Sequence, residues 1–180
     1  EDDVFLLLAK SREGYLFPDT YEFYPDVTPE EVIARMRKRF DEVWSEVQAS
    51  AATYSSDENA LVEESQKRIV IMASILEKET KTGHDRNLVS AILWNRIELD
   101  MPLQVDAVFG YIHDTNTFHP SFDDLEVDSP YNTYKNRDLP PGPIGNPGKN
   151  ALEASLMPAW SSNLYYLTGT DGVMRYAQTF

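Results

Sequence analysis

The sequence predicts an α+β fold, in which helices from about residue 29 to residue 99 pack with a small, mainly antiparallel sheet and a long loop-rich region. Three observations favour this fold class: helical spacing of apolar residues before residue 99, irregular texture from 101 to 148, and two short β-type segments at the end. The 180 residues, 42% of them hydrophobic and 12% aromatic, are sufficient for one folded core.

The first clear helix is predicted to begin at Pro29. Thr28 is a suitable N-cap, Pro29 suits the first helical position and Glu31 completes a capping box. Apolar residues then recur at every third or fourth position, which predicts an amphipathic helix to about Gln48.

A second helix is predicted from about Glu58 to Thr80, after a small and polar loop at residues 49–59. Between Ile69 and Leu76 every residue is apolar or small, a pattern typical of a helix that is buried on all sides. Gly83 is expected to end this helix, and a third helix is predicted from about Asp85 to Leu99.

The remainder of the chain is irregular before it becomes regular again. Residues 101–148 contain many Pro, Gly, Asn and Asp, but their aromatic residues argue against disorder, so a functional loop region is expected. A short helix is predicted at Ala151–Leu156. A terminal hairpin is predicted from Leu164–Thr168 and Val173–Thr179, joined around Asp171-Gly172.

Composition excludes several classes of function. With 16 basic and 30 acidic residues, the formal charge of −14 disfavours nucleic acid, whose binding requires neutralised phosphates. The absence of Cys excludes disulfides and thiolate chemistry, and His84, His113 and His119 do not have metalloprotease spacing. Neither a phosphate-binding loop nor a serine-hydrolase elbow occurs, so no cofactor and no metal are expected.

Two glutamates, Glu77 and Glu79, follow the apolar part of the second helix. A carboxylate in such surroundings loses hydration, which raises its pKa and suits it to act as a general acid. The two side chains project about 200° apart, so they do not form a pair on one face. The alternative is that both merely form ion pairs with Lys78 and Lys81 near the helix end.

Neighbouring residues favour Glu77 over Glu79 as the general acid. The residues three and four positions before Glu77 are Ser74 and Ala73, whereas two bulky aliphatic residues precede Glu79 in the same way. Small neighbours leave room for a substrate beside Glu77, and bulky ones predict that the face of Glu79 is filled by protein.

The irregular region offers groups that suit a sugar. Tyr131, Asn132 and Tyr134, with Gln104 and Asp106, supply flat faces, donors and acceptors that bind sugar rings and hydroxyls. The structural alternative is that these tyrosines close a loop onto the core.

Six segments between residues 11 and 180 carry a further pattern: Glu13–Tyr21, Ala73–Thr80, Asn95-Arg96, Met101–Gln104 with Asp106, Ser129–Tyr134 and Leu139–Gly148. In this order they resemble the endolytic murein transglycosylases of the MltG or YceG-like type. The resemblance implies an enzyme that cleaves peptidoglycan strands between N-acetylmuramic acid and N-acetylglucosamine without water, leaving a 1,6-anhydro-muramyl end.

The resemblance also implies roles for single residues. It makes the first glutamate of the Glu-Lys-Glu motif, Glu77, the catalytic acid and base. Glu77 would protonate the glycosidic oxygen and then accept the proton of the muramyl C6 hydroxyl, so no second carboxylate is needed. The implied substrate-binding residues are Tyr134, Asn132, Gln104 and Asp106, with Tyr131 as the other candidate tyrosine and Asn146 on the cleft wall.

The chain departs from the family pattern in places. Of the family's residues after Gln104, Val105-Asp106-Ala107-Val108 keeps only the Asp, which puts any hydroxyl contact from this loop in question. Residues 1–10 are expected to be the remnant of a connection to an N-terminal LysM-like and membrane-anchor region, and 11–180 the catalytic domain. The resemblance implies peptidoglycan strands as substrate, cell-wall synthesis proteins as partners, and the extracytoplasmic face of the membrane as the location.

Two other functions remain open from the sequence. One is a peptidoglycan glycoside hydrolase, in which Glu77 is the acid, a second carboxylate such as Asp106 assists, and water is the nucleophile. The other is a glycan-binding module without catalysis, in which Glu77 forms an ion pair with a lysine.

Overall fold

The computed structural model describes residues 2–54, 65–115 and 120–180, and these ranges form the predicted α+β fold. The two strands pair as an antiparallel hairpin, in which Tyr166 lies opposite Tyr176. No helix among the described residues is long and apolar enough to cross a membrane. The elements in chain order are α1 (Asp2–Lys10), α2 (Pro29–Tyr54), α3 (Gln66–Glu79), α4 (Gly83–Glu98), α5 (Ala107–Ile112), α6 (Phe122–Leu125), α7 (Lys149–Leu156), β1 (Tyr165–Thr168) and β2 (Met174–Ala177).

Helix α2 begins where its capping residues predict. The Thr28 backbone N–H donates to Glu31 Oε2 at 2.8 Å, and the Glu31 N–H donates to Thr28 Oγ1 at 3.3 Å, so both halves of the capping box are present. The helix continues past the predicted end at Gln48 to Tyr54. Alanine, the best helix former, is frequent in this extension, and Ala51 is buried in the core.

Helix α3 is shorter than predicted at both ends. Ser65 has an extended backbone, and its side chain caps the helix by accepting from the Arg68 N–H, so the predicted continuation of helix through residue 65 is wrong. The predicted part at residues 58–64 lies outside the described residues. At the other end the helix stops at Glu79, because Thr80 is already extended.

Gly83, expected to end the second helix, instead begins α4. Thr82 caps this helix, and its hydroxyl accepts from the Asp85 N–H at 3.1 Å. The predicted third helix is therefore confirmed, with a start two residues earlier than Asp85.

The core is organised around α3, whose residues from Ile69 to Leu76 are all buried, as predicted. One side of the helix packs on α4 and α5, and the other packs on α2 and α7. The first cluster includes Ile71, Met72, Ile75 and Leu76 with Val89, Leu93, Val108 and Phe109. The second includes Ile69, Val70 and Ala73 with Phe40, Val43, Val47, Ala151 and Leu152.

The region expected to be irregular contains short helices as well as loops. Helices α5 and α6 were not predicted, although Ser121 and Asp124 form a capping box at the start of α6. Helix α7 and the terminal hairpin are confirmed. Residues 2–10 form α1, which the sequence indicated only as part of a connection.

Candidate active site

A large open cleft of about 1720 Å³ lies beside the C-terminal end of α3. Its walls come from α1, α5, β1 and the segment 144–146, so it is formed by parts of the chain that are distant in sequence. The residues discussed below that line it include Glu13, Glu79, Arg96, Gln104, Asp106, Tyr134, Asn146, Tyr165 and Tyr166.

Glu79 is the carboxylate that α3 presents to the cleft. Its Oε1 accepts from the backbone N–H of Ala107 at 3.2 Å, and its Oε2 accepts from the Tyr166 hydroxyl at 3.1 Å. Burial raises the pKa of Glu79 and the charge of Asp106 adds to the rise, whereas the two hydrogen bonds oppose it. Glu79 therefore retains its proton to a higher pH than an exposed glutamate does.

Glu77, the expected general acid, does not line the cleft. Its side chain is exposed, and Oε2 accepts from the backbone N–H of Gly148 at 3.1 Å. Gly148 is the N-cap residue of α7 and provides no side-chain cap of its own. A carboxylate at a helix N-terminus is favourable, so Glu77 helps to hold the start of α7 against the end of α3.

The small residues before Glu77 are covered by other parts of the protein. Ser74 is 1% exposed and its Oγ accepts from the Ile144 backbone N–H at 3.0 Å, while Ala73 is 0% exposed and packs against α7. The room expected over Ser74 and Ala73 is therefore taken up by Ile144 and α7. The bulky residues before Glu79 are buried beneath it in the core, where they help to desolvate its carboxylate.

Asp106 and Tyr134 form a second polar pair in the cleft, as the sequence grouped them. The Tyr134 hydroxyl donates to Asp106 Oδ1 at 2.5 Å, and its ring packs on Phe109 with centroids 5.8 Å apart. Burial and this hydrogen bond raise the pKa of Tyr134, so the phenol remains protonated and available as a donor.

Gln104 also lines the cleft, in a left-handed backbone conformation with φ of 54°. Its backbone N–H donates to the Thr133 carbonyl at 3.0 Å, and its side-chain Oε1 accepts from Arg96 at 3.1 Å. The Arg96 guanidinium also donates to the Leu103 carbonyl at 2.6 Å and lies 5.2 Å from the centre of the Tyr165 ring. Arg96, only 5% exposed, therefore fixes the backbone that leads to Asp106.

Asn132 and Tyr131 do not have the positions expected of substrate-binding residues. Asn132 is 0% exposed; its Nδ2 donates to two backbone carbonyls, and its Oδ1 accepts from the Tyr134 N–H at 3.0 Å. Tyr131 packs against Tyr111, with ring centroids 4.8 Å apart, and does not line the cleft. Asn132 therefore holds the backbone of Tyr134, which does line the cleft.

Asn146 lines the cleft as expected, but its side-chain oxygen is occupied by the protein. Oδ1 accepts from the backbone N–H groups of Gly14 at 2.8 Å and Leu16 at 3.1 Å. This contact joins the segment around Gly14 to the Pro-Gly run and positions Glu13, whose carboxylate accepts from Tyr111 at 2.8 Å.

The cleft also contains Glu13, Glu79, Arg96 and Tyr166, which were not among the site residues expected from the sequence, although Glu79 was weighed against Glu77. The bulky residues before Glu79 predicted a face filled by protein; Ala107 and Tyr166 do contact the carboxylate, but Glu79 also lines the cleft. Arg96 was noted only within a motif, and Tyr166 only as a strand residue. No group of three or more His, Cys, Asp or Glu within the described ranges is placed to hold a metal ion, and His119 lies outside these ranges.

Comparison with known proteins gives consistent results. Residues 1–180 match the model of the YceG-like family. The chain is similar to two proteins named endolytic murein transglycosylase. The one from Bacillus subtilis (strain 168) is 38% identical over 170 residues, and the match covers 93% of this chain and 44% of that protein. The one from Streptococcus pneumoniae serotype 2 (strain D39 / NCTC 7466) is 34% identical over 175 residues, covering 92% and 30%.

A solved structure shows the same fold. The crystal structure of a YceG-like protein from Listeria monocytogenes has a TM-score of 0.81 and is 33% identical in sequence. The similarity covers 99% of this chain and 62% of that one. The chain therefore spans less than half the length of these curated relatives and less than two thirds of the solved structure.

Proposed function

Since the chain belongs to the YceG-like family, we propose that it carries the catalytic site of an endolytic murein transglycosylase, with Glu79 as its acid and base. The observation that carries this proposal is the position of Glu79, a half-buried carboxylate that accepts from two donors and lines a large cleft. Peptidoglycan strands are the substrate in this proposal, in keeping with the names of the similar proteins.

One carboxylate is sufficient for the proposed reaction. Protonated Glu79 gives its proton to the oxygen that links N-acetylmuramic acid to N-acetylglucosamine, and the C1–O bond breaks with oxocarbenium character. The C6 hydroxyl of the same muramyl residue then attacks C1, and ionised Glu79 accepts its proton. The products are a strand with a free C4 hydroxyl and a strand with a 1,6-anhydro end, and no water is consumed.

The surroundings of Glu79 suit this double role. Burial favours the protonated form that begins the reaction, while the N–H of Ala107 and the hydroxyl of Tyr166 stabilise the carboxylate that forms halfway. The tyrosine rings of the cleft provide flat surfaces for sugar rings, and Gln104 provides polar atoms for sugar hydroxyls.

A glycoside hydrolase is the second candidate, because Asp106 lies in the same cleft and its charge acts on Glu79. Hydrolysis needs a second carboxylate that activates water or attacks C1. Asp106 Oδ1 already accepts a short hydrogen bond from Tyr134, which favours a positioning role for Asp106 over that of a base.

Product analysis separates the two reactions. Digestion of purified peptidoglycan is expected to yield strands with 1,6-anhydro ends, which weigh one water less than hydrolysed strands. In water enriched with heavy oxygen the new ends are expected to carry no label, because the C6 hydroxyl supplies the oxygen. Labelled reducing ends would identify a hydrolase.

Activity is expected to fall as pH rises through the elevated pKa of Glu79, because bond cleavage begins from the protonated acid. The pH at which activity falls to half is expected to be higher than for an enzyme whose acid is an ordinary glutamate. Tyr166→Phe is expected to move this pH higher still, since the lost hydrogen bond stabilised the ionised form of Glu79. Initial rates on isolated strands from mildly acidic to alkaline pH measure both; a profile unchanged by Tyr166→Phe would contradict this assignment.

The proposed substrate also determines where the protein works. We place the cleft at the extracytoplasmic face of the membrane, where peptidoglycan strands are accessible. An association with cell-wall synthesis proteins and a membrane anchor follow from the family resemblance.

A further inference from the structure

Three lysines line the cleft without a carboxylate partner among the described residues: Lys10, Lys78 and Lys81. All three are exposed. Elsewhere on the surface Lys149 pairs with Glu46 at 2.8 Å, and Lys135 pairs with Glu126 at 3.5 Å.

Helix-end electrostatics explain only part of this arrangement. Lys10 and Lys78 lie in the last turns of α1 and α3, where a cation is favourable for the helix dipole. That preference does not require either side chain to line a cleft. Lys78 runs along the cleft wall, and a Cβ placed on Gly145 would lie 3.7 Å from its Cε.

Two of the lysines flank the proposed acid in the sequence, and all three line the same cleft. Lys78 precedes Glu79 directly, and Lys81 follows the end of α3. The cleft also contains Glu13, Glu79, Asp106 and Asp114, but among the described residues none of these carboxylates forms an ion pair with the three lysines. Glu13 accepts from Tyr111, and Asp106 accepts from Tyr134. Their positive charge is therefore available to an anionic part of the ligand.

We propose that Lys10, Lys78 and Lys81 form a subsite for the carboxylates of the peptide stem, which is attached to the muramyl residue of the strand. This inference rests on the proposed function, because the sugars that would bind beside Glu79 are uncharged and the stem carries the carboxylates. A lysine ammonium on a flexible side chain suits such a ligand, since it can follow a mobile peptide without a fixed geometry.

The test compares strands that carry stems with the same strands after an amidase has removed the stems. The variant is Lys78→Gln combined with Lys81→Gln, and the control is Lys67→Gln. Lys67 lies on α3 like Lys78, is exposed and has no ion-pair partner among the described residues, but it does not line the cleft. The ratio of kcat/KM for stem-bearing to stem-free strands is the quantity measured.

The double variant is expected to lower this ratio by roughly five- to tenfold, because exposed ion pairs contribute modestly to binding. The change is expected mainly in KM, because the lysines would bind the stem and take no part in bond cleavage. The control is expected to leave the ratio unchanged. An equal loss on both substrates, or an equal effect of the control, would overturn the proposal. If the wild type cleaves neither strand, the proposed function fails. The lysine proposal is then decided by binding: the ratio of the affinities for stem-bearing and stem-free strands is expected to be lower for the double variant than for the wild type.

Discussion

Replacement of Glu79 by Gln is expected to reduce strand cleavage by about 10³-fold, the usual contribution of a general acid and base. The amide keeps the size of the side chain and retains an oxygen that can accept the Ala107 N–H, but it neither gives nor takes the proton that the reaction transfers. Strand binding is expected to persist, so turnover and binding are measured separately.

Glu77→Gln is the matched control, because the two glutamates lie on one helix and are separated by a single residue. The exposed Glu77 side chain accepts a hydrogen bond from the start of α7 and does not line the cleft, so cleavage is expected to remain within about threefold of wild type. If Glu77→Gln abolished turnover and Glu79→Gln did not, the assignment of the acid would be reversed. If both variants bound strands and the wild type did not cleave them, the chain would be a binding module.

Loss of folding does not account for the expected effect of Glu79→Gln. The folded state raises the pKa of Glu79, so its contribution to stability is present at low pH and is lost as pH rises through the folded-state pKa. At neutral and alkaline pH an amide avoids the cost of burying the charge. The variant is therefore expected to melt at a Tm no lower than that of the wild type there, and a marked decrease would contradict the burial argument.

Gly14→Ala is expected to destabilise the protein by about 2 kcal/mol or more, as overpacking and an unfavourable backbone act together. Gly14 has φ of 87°, and a Cβ there would lie 2.5 Å from Pro143 Cγ and 2.8 Å from Val70 Cγ1. A proline ring and a buried core side chain have little freedom to move away. The Gly14 N–H also donates to Asn146, so a shift would open the cleft wall at Glu13.

Urea unfolding of Gly14→Ala and of Gly83→Ala measures this effect. Gly83 begins α4, and a Cβ there meets nothing within 4 Å, so the control is expected to be neutral or slightly stabilising. Cleavage should decrease for Gly14→Ala and remain for the control. Equal midpoints for both variants would show that the segment at Gly14 tolerates a side chain.

Local signals predicted much of the fold because they act over a few residues. The capping box at Thr28 and Glu31 marked the start of α2, and the apolar run from Ile69 marked a helix buried on all sides. The terminal hairpin followed from two short segments around Asp171-Gly172. The boundaries of α3 were missed, since Ser65 and Thr80 act through caps within a pattern that otherwise continues.

The candidate site was predicted in composition more than in arrangement. Gln104, Asp106, Tyr134 and Asn146 lie in the cleft, as expected. Asn132 was predicted to lie in the cleft because an amide suits a sugar hydroxyl. Its side-chain amide instead donates to two backbone carbonyls. Type and spacing alone do not reveal which polar side chains are already satisfied by the protein.

By itself the sequence determined that a carboxylate follows the buried part of a helix, and that this helix belongs to a chain of the YceG-like family. Only the tertiary structure decided which of the two glutamates meets the cleft. Helical geometry separates Glu77 from Glu79 by direction but does not say what lies in either direction. Ile144 and α7 occupy the side with small residues, so Glu77 caps a helix, while Glu79 faces the cleft between Ala107 and Tyr166.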